Sequence, residues 1–286
     1  MEIRDTVLFT FEQDIHALIA ECEQDGVHRV LARYKPPGAK VLEAGAGSGR
    51  WLAFLASRGY QVVGIELNPE SVARFCREFP GIHYDVGDVA ALPYPDRSFD
   101  AVLSLGVIEH LIDGPRVALR ELRRVLNDDG IAIITVPMNN FLWKLQRAKL
   151  RVWYGVLGSV LLRRLLGRKP ISYTREQQNA YFQALRLRLL PNLDFMLSFD
   201  PREGVQFYEY RFKTPQLLDV LRGSGLIPIR VLYAYSAMRL VHVFGSLVGQ
   251  PVSGRGFRLN ALGSFLRFVL PQTWTAHMIM VVVRKG

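Results

Sequence analysis

The sequence predicts an α/β protein whose core is a doubly wound, mostly parallel β-sheet with helices on both faces. Three observations support this fold class. Short apolar runs typical of buried strands alternate along the chain with amphipathic helical patterns. A turn with three glycines, in the segment VLEAGAGSGR at residues 41–50, directly follows the first of these strands. Two segments that interrupt the alternation carry all of the basic excess, whereas the remainder of the chain is mildly acidic.

The first half of the chain alternates regularly between helix and strand patterns. The KPPG segment at residues 35–38 ends a long amphipathic helix, because proline cannot continue one. Asn68 is a favourable helix cap and Pro69 suits the first helical position, so a helix begins there. The predicted elements are a helix over 12–34, a strand over 41–46, a helix over 50–58, a strand over 61–67, a helix over 69–79, strands over 82–86 and 100–105, a helix over 115–126 and a strand over 131–136.

In the second half the alternation is interrupted twice. A helix over 214–223 and strands over 226–235 and 276–284 resume the pattern. The chain therefore divides into three parts: residues 1–137, with the first helix and most of the sheet; 138–212, a basic, apolar, helical insertion; and 213–286, the last helix and strands with a second insertion at about 236–275.

Composition and charge limit the compartment and the kinds of partner that the sequence suits. The 286 residues carry a net charge of +10. Residues 138–190 hold 11 Lys or Arg and one acid, and residues 236–275 hold four Arg and no acid. Cys22 and Cys76 form no disulfide or metal pattern, which suits a reducing, cytoplasmic setting. The first residues, MEIRDTVLFTFEQD, do not resemble a signal peptide, and no uncharged apolar run reaches the length of about 18 residues that suggests a membrane span.

The glycine turn predicts a ligand site. Gly45, Gly47 and Gly49 follow a G-x-G-x-G spacing, which differs from the dinucleotide fingerprint, and no P-loop lysine follows them. Glycines at such a turn let the backbone approach a ligand closely, although a purely structural tight turn is the alternative.

Carboxylates surround that turn. Glu43 precedes the glycines, Glu66 ends the second predicted strand, and Asp88 follows the third. In a doubly wound sheet these strand ends meet at one edge, where ligands bind. Carboxylates there suit ribose hydroxyls, an adenine amino group and an ammonium group, and they disfavour a pyrophosphate. The predicted ligand has adenosine at one end and a cationic amino acid at the other.

With these motifs, the chain resembles the class I S-adenosylmethionine-dependent methyltransferases, in the broad group that acts on small molecules and lipids. The resemblance is close over residues 35–136 and looser over 208–235 and 276–284. It implies a seven-stranded, Rossmann-like sheet, S-adenosylmethionine as cofactor and no metal. In the resembled fold both insertions leave the sheet at the carboxyl ends of its strands, so the resemblance also implies that they meet over the site as a helical cap. The implied roles are the methionine part of the cofactor for Glu43, Gly45, Gly47 and Gly49, the ribose for Glu66, the adenine for Asp88 and Val89, the methionine side for Leu105 and Gly106, and the methyl acceptor for His110.

The acceptor is less constrained than the cofactor. Because residues 141–169 mix cations with apolar and aromatic residues, we expect a hydrophobic or lipid-linked small molecule and peripheral contact with the cytoplasmic face of a membrane, with Trp143, Trp153 and Tyr154 at the interface. Tyr173, Tyr181, Tyr208 and Tyr210 are candidates to line the acceptor site. The alternatives are a buried cap helix, an RNA methyltransferase that binds phosphates through the basic insertion, and a non-catalytic module that keeps the cofactor fold for assembly. Nucleic acid is the less favoured partner, because the cations lie among leucine and tryptophan.

His110 and Glu109 follow the fourth predicted strand. His110 suits a general base, because a free imidazole titrates near neutral pH; a structural histidine that bonds the loop backbone is equally compatible with the sequence. Glu109 is expected to orient the loop or to face solvent.

Overall fold

The computed structural model describes residues 14–157, 188–200, 204–252 and 257–286. Its centre is a seven-stranded sheet with the order β3-β2-β1-β4-β5-β11-β8. The strands are β1 Lys40–Ala44, β2 Gln61–Glu66, β3 His83–Val86, β4 Phe99–Leu105, β5 Leu126–Pro137, β6 Asp194–Asp200, β7 Gly204–Arg211, β8 Leu226–Ala234, β9 Gly249–Pro251, β10 Phe257–Leu259 and β11 Met278–Lys285. Neighbours from β3 to β5 pair in parallel, and β11 pairs antiparallel with both β5 and β8. The predicted fold class is therefore confirmed.

Helices cover both faces of this sheet. They are α1 Ile15–Gln24, α2 Val27–Tyr34, α3 Arg50–Ser57, α4 Pro69–Glu78, α5 Arg116–Val125, α6 Phe141–Leu157, α7 Thr214–Gly223, α8 Ser236–Phe244, α9 Ala261–Val269 and α10 Gln272–Thr275. Consecutive strand residues point to opposite faces, so Ile134 packs in the core under α5 and α7, whereas Ile133 packs in the core under α1, α2 and α3. Among the described residues, no helix combines the length and the apolar character that crossing a membrane requires.

Two local predictions meet different outcomes. The cap of α4 is as expected, because the Asn68 side chain accepts a hydrogen bond from the Glu70 amide at 2.9 Å. The single helix over 12–34 is wrong, since α1 and α2 are separate helices that break at Asp25 and Gly26. Asp25 ends the first helix, and its carboxylate accepts a hydrogen bond from the Val27 amide at 3.1 Å, which stabilises the turn between the two helices.

The first insertion differs from the prediction of a helical segment. It begins with α6, but β6 and β7 then form an antiparallel hairpin. The sequence DFMLSFD of β6 has the alternation of a strand, which is the pattern that a helical interpretation misses. Residues 158–187, including much of the basic stretch, lie outside the described residues.

The two insertions meet, as the sequence analysis expected. Leu142 of α6 packs in one cluster with Leu240, Val241 and Val243 of α8. The second insertion continues through the β9–β10 hairpin to α9 and α10. Together they form a cap that consists of helices and two short antiparallel hairpins.

Candidate active site

A cavity of about 600 Å³ lies between the carboxyl ends of the central strands and the cap. Residues from the ends of β1, β2, β4 and β5 form one side, and residues of α8, β7 and β10 form the other. The structure brings nine of the ten predicted site residues to its wall: Glu43, Gly45, Gly47, Glu66, Asp88, Val89, Leu105, Gly106 and His110.

The glycine turn between β1 and α3 is a left-handed bend held by the sheet. Gly45 and Gly47 have φ values of +79° and +58°, a backbone conformation that residues with a side chain rarely adopt. The amides of Gly45 and Ala46 both donate to the Ile65 carbonyl at 2.9 Å, and the Tyr84 hydroxyl donates to the Gly47 carbonyl at 2.8 Å. A Cβ on Gly45 would lie 2.6 Å from a methyl of Val107. The bend therefore needs glycine for both conformation and space.

Gly49 has a packing role, and its contact with the cofactor stays a prediction. It is not among the residues that line the cavity. It caps α3 with φ +77°, and a Cβ there would lie 2.3 Å from the Phe75 ring. Gly49 thus allows α3 and α4 to pack closely, which is a structural requirement of the turn.

Glu66 fixes the bend from the end of β2. One carboxylate oxygen accepts a hydrogen bond from the Gly47 amide at 3.0 Å, and the other accepts one from the Asn68 amide at 3.1 Å. Each oxygen has a second lone pair that can accept from a ligand hydroxyl. The carboxylate is therefore oriented before any ligand binds.

Asp88 and Val89 follow β3 at the same edge of the sheet. Asp88 is exposed, and its carboxylate accepts a hydrogen bond from the Ala90 amide at 2.8 Å. Val89 is buried and turns toward the core while lining the cavity. Leu105 and Gly106 end β4, where Gly106 has φ +76° and its amide donates to the Thr135 carbonyl at 3.1 Å.

His110 stands where the cavity passes from the sheet to the cap. It belongs to a 3₁₀ turn over Ile108–His110, and its Nδ1 lies 2.6 Å from the Tyr208 carbonyl oxygen of β7. Since a carbonyl only accepts, Nδ1 carries the proton, and in the neutral ring Nε2 is the basic nitrogen. Burial lowers the pKa of His110 below 6.5. The backbone contact and a role as base are therefore compatible, because they use different nitrogens.

Glu109 and Glu209 both line the cavity. The sequence analysis does not name Glu209, and it does not assign Glu109 to the cavity. Glu109 does not face solvent as expected: it is 2% exposed and lines the cavity, and burial raises its pKa well above 4.5. Glu109, His110 and Glu209 each place one ligand-type atom within 4.8 Å of the others, a spacing that could hold a metal ion. The Arg211 guanidinium lies 2.5 Å from Glu209 and already supplies positive charge there. Glu209 and Arg211 alternate on β7, but only the fold places them beside His110.

Comparison with known proteins agrees with this geometry. A family model described as a methyltransferase domain matches residues 42–134. A probable S-adenosylmethionine-dependent methyltransferase of Mycolicibacterium smegmatis is 35% identical over 111 residues, which are 39% of this chain and 42% of that protein. The family-model match runs from within β1 to within β5 and includes the glycine bend, Glu66 and His110.

Residues 42–134 form a methyltransferase domain that is similar to S-adenosylmethionine-dependent methyltransferases. A crystal structure of a SAM-dependent methyltransferase from Methanosarcina mazei has the same fold, with a TM-score of 0.56 at 16% identity over 90% of this chain and 96% of that one. This likeness shows the shared fold, and the curated relative is also named for S-adenosylmethionine.

Other curated relatives match the same domain. A fatty-acid O-methyltransferase of M. smegmatis is 35% identical over 38% of this chain and 40% of that protein. A 2-methyl-6-phytyl-1,4-hydroquinone methyltransferase of Synechocystis is 34% identical over 41% of each. The chain thus spans about two fifths of the length of these relatives.

The methyltransferase domain presents a buried acid that suits the cationic cofactor. Glu43 is 4% exposed and lines the cavity, and its Oε2 has no hydrogen-bond partner among the described residues. Burial raises its pKa well above 4.5, while the positive charge of Arg50 opposes that shift. An ammonium group at this position would give Glu43 the missing partner, so the site fits the amino-acid end of S-adenosylmethionine.

Two aromatic predictions need correction, and four others concern residues outside the description. Trp143 is 5% exposed and packs beneath the Arg211 guanidinium at 4.0 Å, so it does not lie at a membrane interface. Tyr210 is buried and donates to the Ile112 carbonyl at 2.6 Å, so it is a core residue, whereas Tyr208 lines the cavity. Tyr173 and Tyr181, and the side chains of Trp153 and Tyr154, lie outside the described residues.

Proposed function

We propose that the chain transfers a methyl group from S-adenosylmethionine to a hydrophobic or lipid-linked small molecule at a membrane face. One observation carries this proposal: a single cavity has the predicted cofactor residues on its sheet side and apolar side chains of the cap on its other side. Met238 of α8 and Phe257 of β10 supply the apolar part of the cap wall, and Met278 at the start of the sheet strand β11 adds a further apolar side chain to the cavity. Methionine and phenylalanine favour an acceptor with an apolar body.

The names of the relatives support this class of acceptor. One relative is a fatty-acid O-methyltransferase and another methylates a phytyl hydroquinone, and both names describe acceptors with a long hydrocarbon chain. Their similarity covers about two fifths of each protein. The cap of this chain supplies the independent argument, because it combines apolar wall residues with an excess of cations.

We propose His110 as the base for an acceptor hydroxyl. The cofactor, when bound, supplies a methyl group already activated by the sulfonium charge. The protein must then hold the acceptor in line, exclude water and remove the hydroxyl proton. The Tyr208 carbonyl fixes the His110 ring through Nδ1, so that Nε2 can take up the proton. The lowered pKa keeps the ring neutral, and therefore able to accept that proton, at neutral pH.

Label transfer tests the proposal. The purified protein is incubated with methyl-labelled S-adenosylmethionine and separate lipid, RNA and small aqueous fractions of a cell extract. We expect label in the lipid fraction, dependent on both protein and cofactor. Label in RNA would instead support the phosphate-binding alternative, and no label in any fraction, from a protein that binds the cofactor, would support the non-catalytic alternative. A Gly47→Val variant serves as the control for cofactor-dependent transfer.

A further inference from the structure

Helix α9 in the cap exposes large apolar side chains on one side. Phe268 is 89% exposed, Phe265 59%, and Leu262 and Val269 about half. A surface helix of a globular protein usually turns such residues toward the core. Here they lie together on the outer side of the helix, which is unusual enough to indicate an interaction surface.

The orientation of α9 is fixed by its inner side. Gly263 packs so closely that a Cβ would lie 2.1 Å from the Val248 carbonyl oxygen. Leu266 and Leu270 pack against the cluster formed by α6 and α8. The Asn260 side chain caps the helix by accepting from the Gly263 amide at 2.9 Å. A rotation of α9 that buried its phenylalanines would break all of these contacts.

The apolar surface continues on both sides of α9. Leu247, 71% exposed, adjoins its first turn, where the Asn260 side chain donates to the Leu247 carbonyl at 2.9 Å. Beyond its end, the exposed Trp274 contacts Phe141 of α6 with ring centroids 5.3 Å apart. We call this surface the apolar ridge, and its residues are Phe141, Leu145, Leu247, Leu262, Phe265, Phe268, Val269 and Trp274.

The charges around the ridge are basic. Residues 236–275 contain four arginines and no acid, of which Arg239 is buried and Arg255 lies outside the described residues. Arg258 and Arg267 are exposed beside the ridge residues, and Lys144 and Lys149 are exposed on α6. Two copies of the chain that paired through this surface would bring like charges together. A surface with phenylalanine, leucine and tryptophan at its centre and cations beside them matches an anionic lipid bilayer instead.

We propose that the apolar ridge inserts its aromatic and aliphatic side chains into the surface of an anionic lipid bilayer. This places the membrane contact on α9, α10 and the start of α6, rather than only on residues 141–169. The cap connects the ridge to the cavity, because α8, which packs under α9, contributes Ala237 and Met238 to the cavity wall. The purpose of docking rests on the proposed function, since a lipid-linked acceptor would be met at that surface; the docking itself does not require methyl transfer.

Vesicle flotation tests the ridge directly. The full chain is mixed with vesicles of phosphatidylglycerol and phosphatidylcholine, or of phosphatidylcholine alone, and the bound fraction is measured. We expect binding to the anionic vesicles that weakens as salt is raised. Phe268→Asp should reduce binding at least about tenfold. It removes a phenyl ring that would insert into the bilayer, and it places a negative charge beside the anionic lipid headgroups. Val117→Asp is the matched control, since Val117 is 57% exposed on α5, away from the ridge, and we expect it to bind as the original protein does.

Other results would overturn the proposal. They are the absence of vesicle binding, equal binding by Phe268→Asp, or a dimer in light scattering that Phe268→Asp dissociates, which would make the ridge an interface between copies. Calorimetry measures the cofactor affinity of each variant, which shows whether the variant is still folded. Intact docking without methyl transfer to any acceptor would refute the proposed function and leave the docking surface standing.

Discussion

The sheet side and the cap side of the cavity differ in their charged groups, because only the cap side adds buried arginines to its carboxylate Glu209. The sheet side presents the carboxylates of Glu43 and Glu66 around a glycine bend. Behind the cap side lie two buried arginines, Arg211 and Arg239, beside the indole of Trp143. Burial and the nearby positive charge of Arg211 lower the pKa of Arg239 to about 9, and the carboxylate of Glu209 opposes that shift. The sheet side is thus matched to a cationic cofactor, while the cap is a separate structure with its own electrostatics and its own outer surface.

The largest expected effect is the loss of cofactor binding at the sheet side of the cavity. Gly47→Val should abolish measurable cofactor binding, a loss of more than about 100-fold in Kd, because a β-branched residue is strained at positive φ and would project toward the ligand. Calorimetry with S-adenosylmethionine measures this. Gly81→Val is the control, because Gly81 is exposed and has no atom within 4 Å of a Cβ. Undiminished affinity in Gly47→Val would remove the bend from the binding site.

The next effect concerns the boundary between the two sides. His110→Ala should lower kcat about 10²- to 10⁴-fold, the range for a general base, and leave cofactor affinity unchanged. In the original protein, kcat should stay level above pH 6.5 and fall only below it, because the pKa of His110 is lowered and the protonated ring accepts no proton.

The control for His110 is His83→Ala, an exposed histidine whose Nε2 lies 2.8 Å from Asp85. It should leave the rate and its pH profile unchanged. A rate that persists in His110→Ala with the same pH profile would reduce His110 to its structural contact with the Tyr208 carbonyl.

A smaller effect is expected at the end of β2. Glu66→Ala should weaken cofactor binding by about 1.5–3 kcal/mol, the range for hydrogen bonds to a charged group. Glu66→Gln, which keeps one acceptor oxygen for the bend, should fall between the two proteins. Calorimetry distinguishes them, and an effect of only a few tenths of a kcal/mol for Glu66→Ala would place the ribose elsewhere.

The smallest change in cofactor affinity is expected at Gly49, the third glycine of the turn. Gly49→Ala should lower the free energy of unfolding by about 1–3 kcal/mol, through the positive φ and the contact with Phe75, while the folded protein keeps its cofactor affinity. Urea unfolding followed by circular dichroism measures the first quantity and calorimetry the second. A large loss of affinity without a loss of stability would return Gly49 to the binding site.

The sequence predicts the sheet side well, because its determinants are local. The bend needs glycine at positive φ, the Asn68 cap is encoded by neighbouring residues, and the alternation of strands and helices follows from apolar periodicity. The two glycines Gly45 and Gly49 look alike in the sequence, because both belong to the G-x-G-x-G pattern. Only the structure shows that Gly45 lines the cavity, whereas Gly49 packs against Phe75.

The cap is predicted less well, because its contacts join distant parts of the chain. The Nδ1 of His110 meets the carbonyl of Tyr208, and the ion pair of Glu209 and Arg211 comes beside His110 only when β7 packs there. Trp143 resembles an interfacial residue in a helical pattern, yet the fold buries it under Arg211. Helix α9 is the opposite case, because its apolar residues Phe265 and Phe268 are exposed. Only the close packing at Gly263 on the other side of the helix shows that they face outward.

A crystal structure with saturating S-adenosylhomocysteine tests the central claim most directly. The account predicts the adenosine between Glu66 and Asp88, with the amino-acid end at Glu43 above the bend formed by Gly45 and Gly47. Density for the molecule at any other place, or an empty bend at saturation, would contradict it.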